Sequence, residues 1–224
     1  MGYLLIFALF MLASWAIGAR LKSKFREYSK IPVNYNLSGR EVAEKMLYDN
    51  GVTDVTVLSV NGELTDHYNP QHKTVNLSPD VYNGRSIAAA AIAAHECGHA
   101  IQHAHAYSWL QFRSAMVPIV SFSSKWVQWI LLGGILLINT FPQLLLAGIV
   151  LFALTTLFSF ITLPVEIDAS RRATAWLDGS GIASTATLPK AQEALRLAAY
   201  TYVIAALASL ATLMYYIMIY LRRD

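Results

Sequence analysis

Four long apolar segments constrain this chain more than any other feature of its sequence. They cover residues 2–18, 117–138, 143–163 and 197–221. A transmembrane helix needs about 20 predominantly apolar residues, and spans of about 17 are also found. The composition agrees, because 55% of the residues are hydrophobic and only 14% are charged, against about a quarter in soluble domains. The sequence therefore predicts a mainly α, multi-pass protein of the lipid bilayer with about four transmembrane helices.

The order of these segments predicts how the chain is arranged about the membrane. Residues 1–19 lack a small-residue cleavage site, so they indicate a retained first span rather than a removed signal peptide. Residues 139–142 leave room only for a tight turn, so residues 117–163 are expected to form a hairpin of two spans. Because a hairpin returns the chain to the side it left, residues 20–116 and 164–196 are expected on one face of the cell membrane.

Basic residues predict which face this is. Fourteen of the 17 Lys and Arg residues lie within residues 20–113 and 171–196. The positive-inside rule therefore places these segments in the cytoplasm. Arg222 and Arg223 would then lie outside, and they oppose this assignment. The single cysteine allows no internal disulfide and is compatible with a reducing compartment.

The motif His95-Glu96-Cys97-Gly98-His99 carries the chemistry of the chain. On a helix, residues four apart project from one face, so both imidazoles can hold one Zn²⁺ while Glu96 faces the water that the metal activates. Ser86 as N-cap and the alanine-rich run after it indicate such a helix. The alternative is a buried helix with two hydrogen-bonded histidines, but the Glu between them favours a catalytic site with Glu96 as general base.

Three residues compete to be the third zinc ligand. His105 has the spacing of the HExxHxxGxxH signature, but Gln102 stands where that signature needs glycine. If the helix continues, His105 lies about 15 Å and His103 about 12 Å along its axis from His95, too far to bind the same ion. Glu166, after the third apolar segment, would complete a His-His-Glu set from a second helix packed beside the first.

At these residues the chain resembles the YugP-type membrane-bound neutral zinc metallopeptidases of bacteria and archaea. The resemblance rests on three segments in order, residues 64–70, 93–102 and 164–173. It covers about residues 22–206 and implies a zinc-dependent peptidase with Glu166 as third ligand. Related membrane peptidases of the CAAX-processing and heat-shock types carry Asp four residues after that Glu, where this chain has Ser170. Asp168 is the nearer acid, so the choice between Glu166 and Asp168 as ligand stays open.

Residues 20–116 are expected to form a small α+β portion of zincin type, with the HExxH helix and a short β-sheet. Residues 54–60 and 63–68 flank Asn61-Gly62, a pattern that predicts a β-hairpin, and residues 73–77 predict a third strand. An exposed edge strand beside a catalytic helix can take up a substrate backbone by strand addition. Residues 73–77 are the candidate for this role, and the alternative is an ordinary edge strand protected by its lysine.

His67 is the candidate for stabilising the oxyanion of the reaction. An imidazole near the zinc could donate a hydrogen bond to the developing negative charge. A histidine that merely caps the end of a strand is the alternative. Tyr68, Tyr82 and Arg171 are weaker candidates for the same role.

Two classes of function remain. The first is a membrane-bound zinc endopeptidase whose substrates are membrane-associated or misfolded proteins. The second is a non-catalytic membrane scaffold or adaptor with a structural or vestigial zinc site, but such a site has no use for Glu96. The sequence carries no nucleotide-binding glycine pattern and no nucleic-acid module. Its pI of about 8.9 therefore reflects charge beside the membrane, and nothing in it specifies an oligomeric state.

Overall fold

The computed structural model describes residues 2–62 and 65–222, and the side chains of residues 5–62 and 65–222. The strands are β1 (Thr56–Ser59), β2 (His67–Asn69) and β3 (Thr74–Leu77). The helices are α1 (Gly2–Tyr28), α2 (Gly39–Asp49), α3 (Pro79–Tyr82), α4 (Ile87–Ala104), α5 (Ser108–Leu136), α6 (Pro142–Gly179) and α7 (Leu188–Leu221), with a short 3₁₀ turn over Asn34–Asn36. The described chain is thus mostly helical and holds a small three-stranded sheet, as the sequence predicts.

Helices α1, α5, α6 and α7 are each long and apolar enough to cross a membrane. They also extend beyond the apolar segments read from the sequence. Helix α6 has 38 residues, which corresponds to about 57 Å at 1.5 Å per residue, whereas the hydrocarbon core of a bilayer is about 30 Å thick. One continuous helix therefore contains both an apolar span and the polar stretch with Glu166.

The chain divides into two compact units. The helical unit contains the chain up to Ala16, Gln111–Pro164 and the chain from Thr201 onward. The sheet unit contains Ile17–Leu110 and Val165–Tyr200. The HExxH motif and Glu166 both belong to the sheet unit, so their geometry can be described within one compact body.

In the helical unit, glycines let α5 and α6 approach closely. A Cβ added at Gly134 would lie 2.5 Å from the Cα of Leu145, and one added at Gly148 would lie 2.8 Å from the side chain of Leu131. Both leucines are buried in the apolar cluster between these helices. Small residues at such crossings are typical of helices that pack in membranes, where close contact between backbones drives association.

Helix α4 lies in the core of the sheet unit. Ser86 caps its first turn, where the hydroxyl accepts a hydrogen bond from the N–H of Ala89 at 3.2 Å, as the sequence predicts. The alanines that follow are almost fully buried, and their small side chains let α2 pack directly against α4. On that side the buried thiol of Cys97 lies 3.5 Å from the carbonyl oxygen of Ala43. Cys97 therefore faces the core.

The sheet has the strand order β1-β3-β2. Strand β3 pairs in parallel with β1 and antiparallel with β2. The turn between β2 and β3 is closed by Asn69, whose side-chain oxygen accepts hydrogen bonds from the backbone N–H groups of Gln71 and His72. Lys73 completes that turn with a φ of 51°. The hairpin of this sheet is therefore β2–β3.

Two strand predictions are wrong. The predicted hairpin around Asn61-Gly62 does not form, because β1 pairs with β3 and not with β2; Glu63 and Leu64 lie outside the described residues. Residues 73–77 are not an edge strand, because β3 is paired on both sides. The physical reason is burial: Val75, Asn76 and Leu77 are all buried, so both faces of the strand are covered and it belongs in the centre of the sheet. The edge nearer α4 is β2.

Candidate active site

Helix α4 contributes three side chains of the predicted site, those of His95, Glu96 and His99. The helix ends at Ala104, and His105 follows it as the C-cap residue. His103 and His105 are both exposed. The described residues that could hold a metal ion together are His95, His99 and Glu166, whose ligand atoms all lie within 4.8 Å of one another.

The ligand atoms of this triad are spaced as one metal ion requires. The Nε2 atom of His95 lies 3.3 Å from Oε2 of Glu166, and the Nε2 atom of His99 lies 3.7 Å from the same oxygen. A zinc ion about 2.1 Å from each ligand in a tetrahedral site holds the ligand atoms about 3.4 Å apart. Two imidazoles and one carboxylate are also a common ligand set of catalytic zinc. The residues present therefore fit the ion.

Glu166 reaches the histidines because α4 and α6 pack in close contact. A Cβ added at Gly98 would lie 2.7 Å from the carbonyl oxygen of Ala169 and 3.0 Å from its Cα. Any side chain at position 98 would therefore push α6 away from α4. Ala169 and Ala173, small residues one turn apart on α6, are fully buried. The glycine inside the motif thus sets the distance between the two helices that hold the triad.

The second ring nitrogen of each histidine has its own partner. Nδ1 of His95 lies 3.2 Å from the hydroxyl of Ser170, and Nδ1 of His99 lies 3.1 Å from the side-chain oxygen of Gln102. When Nδ1 carries the proton, Nε2 keeps its lone pair for a metal ion. The contact with the Gln102 oxygen therefore favours the form of His99 that can bind zinc through Nε2, and the contact with the Ser170 hydroxyl allows the same form in His95.

Asp168 is not part of the triad. Its Oδ2 atom accepts hydrogen bonds from the side-chain amide of Gln102 at 2.8 Å and from Nε of Arg172 at 2.6 Å. Among the described residues, Gln102 is the link between Asp168 and His99. Sequence reasoning did not identify Gln102 as a partner of the site, although its position three residues after His99 on one helix face was a signal for it.

Glu96 is held by the sheet. It is only 8% exposed, and its Oε2 atom accepts a hydrogen bond from the backbone N–H of Tyr68 at 3.0 Å. The hydroxyl of Tyr68 lies 2.8 Å from Nδ1 of His103, two turns further along α4. The edge strand β2 is thus attached to the helix beside the carboxylate that the sequence marks as the general base.

His67 lies next to Tyr68 on β2, and its ring is exposed. Nδ1 lies 2.8 Å from the carbonyl oxygen of Thr65, and Nε2 lies 3.3 Å from the side-chain amide nitrogen of Asn76. In this arrangement Nδ1 donates and Nε2 accepts. The structure brings His67 into the strand that contacts Glu96, while both of its nitrogens contact other residues of the sheet or its flanks.

The electrostatic environment suits a cation. Burial lowers the pKa of His99, but the hydrogen bond with Glu166 and the charges of Glu96 and Glu166 outweigh it, so the pKa is raised overall. Two carboxylates thus dominate the potential at the ring. The thiol of Cys97 is different, because burial raises its pKa well above the usual value. It therefore stays protonated and is unsuited to be a ligand or a nucleophile.

Two comparisons with known proteins bear on this site. Residues 3–221 match the sequence profile of a family described as "Putative neutral zinc metallopeptidase". A protein of Bacillus subtilis (strain 168) described as "Putative membrane protease YugP" is 42% identical over 210 residues, which are 94% of this chain and 92% of that protein. No solved structure gives a significant match.

Proposed function

This chain belongs to the neutral zinc metallopeptidase family, and from that premise we propose that it is a membrane-bound zinc endopeptidase. The observation that carries the proposal is the convergence of His95, His99 and Glu166 beside the buried Glu96. The first three side chains would hold the zinc ion. The substrates of the proposed peptidase would be membrane-associated or misfolded proteins, because the same chain has four helices that are long and apolar enough to span a bilayer.

The zinc ion, Glu96 and Tyr68 have different roles in the proposed reaction. When bound, zinc would polarise a water molecule and the scissile carbonyl group. Glu96 would take a proton from that water as its oxygen attacks the carbonyl carbon, and would then give the proton to the leaving amine nitrogen as the C–N bond breaks. The hydrogen bond from Tyr68 to Glu96 would limit the rotation of the carboxylate before substrate binds.

Strand β2 is the proposed docking edge for the substrate backbone. It is an edge strand of the sheet, and its Tyr68 N–H contacts the general base directly. A substrate that adds as a strand would compete for that N–H and release Glu96 toward the reacting atoms. Peptides with N-methylated amides beside the scissile bond cannot donate in such a pairing, so their KM is expected to rise while zinc content stays unchanged.

His67 is proposed as the donor to the oxyanion. Since Nδ1 donates to Thr65 and Nε2 accepts from Asn76 in the structure, donation through Nε2 requires the protonated ring. His67→Gln is expected to lower kcat with zinc content unchanged, since one such donor is worth about 10²–10³ in rate. The matched control is His72→Gln, at another exposed histidine near the same strand. Equal rates in the two variants would refute the role of His67.

The catalytic side is proposed to be cytoplasmic, on the strength of the basic residues around the motif. In a Cys97→Ser background, Asn139→Cys should react with an impermeant thiol reagent added to intact cells, and Thr185→Cys should not. Both positions are exposed in the structure, so access depends on sidedness alone. Labelling of Thr185→Cys from outside would reverse the orientation.

Zinc content measured beside casein cleavage tests the proposed activity. Glu96→Gln removes the base and keeps the shape, so zinc should remain bound while turnover falls by about two to four orders of magnitude. His105→Ala, a histidine near the motif but outside the triad, should change neither. Wild-type protein that binds zinc and cleaves no peptide would favour the scaffold alternative.

A further inference from the structure

We propose that Gln102, oriented by Asp168 and Arg172, is the positioning residue that fixes His99 in its metal-binding form. The inference rests on the proposed function, because it assigns a partner to one ligand of the same zinc site. It adds three residues to that site, none of which contacts the ligand position itself.

The orientation of the Gln102 side chain follows from its contacts. The side chain is fully buried, and its amide nitrogen donates to the carbonyl oxygen of Val165 and to Oδ2 of Asp168, both at 2.8 Å. A flipped amide would place its oxygen against these two acceptors. The amide oxygen must therefore face Nδ1 of His99, 3.1 Å away.

The tautomer of His99 follows in turn. An amide oxygen can only accept, so Nδ1 of His99 must carry the proton. In the neutral ring the lone pair is then on Nε2, the atom that lies 3.7 Å from Oε2 of Glu166. The ring is thus set for zinc by a neutral carbonyl group, where metal-binding histidines often use a carboxylate.

Asp168 and Arg172 form the outer end of the hydrogen-bonded series His99, Gln102, Asp168 and Arg172, which is called the relay below. Nε of Arg172 donates to Oδ2 of Asp168 at 2.6 Å, and its guanidinium carbon lies 5.9 Å from the centre of the Tyr107 ring. Asp168 and Arg172 are partly exposed, with 25% and 31% of their side-chain surface accessible. The carboxylate is therefore neutralised by a partner near the surface while it keeps the buried amide from flipping.

Gln102→Met tests the relay, because it keeps a similar volume and removes the hydrogen bonds. Loss of a partner of this kind weakens metal binding by about 10- to 100-fold, so the zinc dissociation constant, measured by chelator competition on folded protein, should rise by that factor. Asp168→Asn should shift it in the same direction by less, since the amide of the variant still accepts from Gln102. In protein labelled with ¹⁵N-histidine, the Nδ1–H form of His99 should predominate in wild type and decrease in Gln102→Met.

The control separates positioning from packing. Ser78→Ala removes a different hydrogen bond of the sheet unit, from the hydroxyl of the buried Ser78 to the partly buried Asp66, and should lower thermal stability without changing zinc affinity. Gln102→Met protein that binds zinc as tightly as wild type would overturn this inference alone. Wild-type protein that binds no zinc would overturn the proposed function as well. Wild-type protein that binds zinc without cleaving peptides, with the affinity shift in Gln102→Met, would support the relay and refute the peptidase.

Discussion

The surroundings of His95 and of His99 differ, although the two residues lie one turn apart on α4 and face the same carboxylate oxygen. Nδ1 of His95 contacts the hydroxyl of Ser170, a group that rotates and can donate or accept. Nδ1 of His99 contacts a buried amide whose direction is determined by Val165 and Asp168. The ring of His99 is therefore held in its metal-binding form before an ion binds, and its surroundings are the preset side of the site. The ring of His95 can change its form, and its surroundings are the adaptable side.

The largest expected effect, loss of zinc and of cleavage, does not depend on this difference, because both rings are proposed ligands. His95→Ala, His99→Ala and Glu166→Ala should each reduce bound zinc well below one ion per chain and abolish cleavage. Metal analysis of purified protein beside a peptide assay provides the measurement.

The control for zinc content is His103→Ala, because His103 lies on the same helix and is exposed, with its Nδ1 in contact with the Tyr68 hydroxyl and not with the triad. Retention of zinc in Glu166→Ala, together with loss in His103→Ala, would show that the ligand set is wrong.

A smaller effect is expected at the close approach of α4 and α6, where Gly98 lies against Ala169. Gly98→Ala places a Cβ 2.7 Å from a backbone oxygen, so α4 and α6 must separate. Overpacking of this kind costs about 1–3 kcal/mol of stability, and Glu166 should move away from both histidines. Thermal unfolding and zinc competition should both show the loss.

Gly179→Ala is the matched control for the previous substitution. Gly179 ends α6, and an added Cβ there would meet no described atom within 4 Å. Its stability should equal or slightly exceed that of wild type, since alanine is the better helix former. Equal zinc affinity in Gly98→Ala and Gly179→Ala would mean that the close approach of the helices does not set the site.

Ser170→Ala should sharpen the comparison. Because the hydroxyl is an adaptable partner, its loss should weaken zinc binding by about tenfold, the lower end of the range for such partners, and by less than Gln102→Met does. Thr174→Ala, one turn further along α6, removes a hydroxyl that donates to the backbone oxygens of Ser170 and Arg171 and should have no effect. A larger loss in Ser170→Ala than in Gln102→Met would reverse the assignment of the preset and adaptable sides.

Among the substitutions within the HExxH motif, Cys97→Ala should have the smallest effect. Cys97 lies inside the motif but faces Ala43 on α2, away from the triad. Zinc content and cleavage should stay within about twofold of wild type, and thiol reagents should not modify the native protein, because burial raises the pKa of this thiol. Loss of zinc in Cys97→Ala would show that the two faces of α4 are not independent.

The local parts of the site could be predicted from the sequence. Ser86, the alanine run and the HExxH spacing define α4 from within one stretch of about 20 residues. Glu166 could be named as a candidate because the acidic pair Glu166 and Asp168 directly follows a long apolar segment, although the sequence left the choice between the two open. His105 could be set aside because a helix that continues carries it too far from His95, and the structure ends the helix at Ala104, with His105 exposed.

The parts of the fold and of the site that depend on packing between distant segments could not be predicted from the sequence. Strand order depends on which faces are buried, and the Asn61-Gly62 pair suggested a hairpin that the sheet does not form. The partner of His95 and the partner of Gln102 depend on the rotation of α6 about its own axis. That rotation brings Ser170 to His95 and leaves Asp168 facing Gln102, and no periodicity of the apolar residues specifies it to within one position.

The contact between Gly98 and Ala169 bears on how the motif should be read in other sequences. HExxH is usually written with two free positions, yet in this fold the second of them must lack a side chain for α6 to come close enough. A search with the narrower pattern HExGH would discard chance matches in which a bulky residue keeps the third ligand at a distance. For this architecture, the glycine of the motif has no reactive side chain, yet it discriminates best between a functional HExxH motif and a chance match.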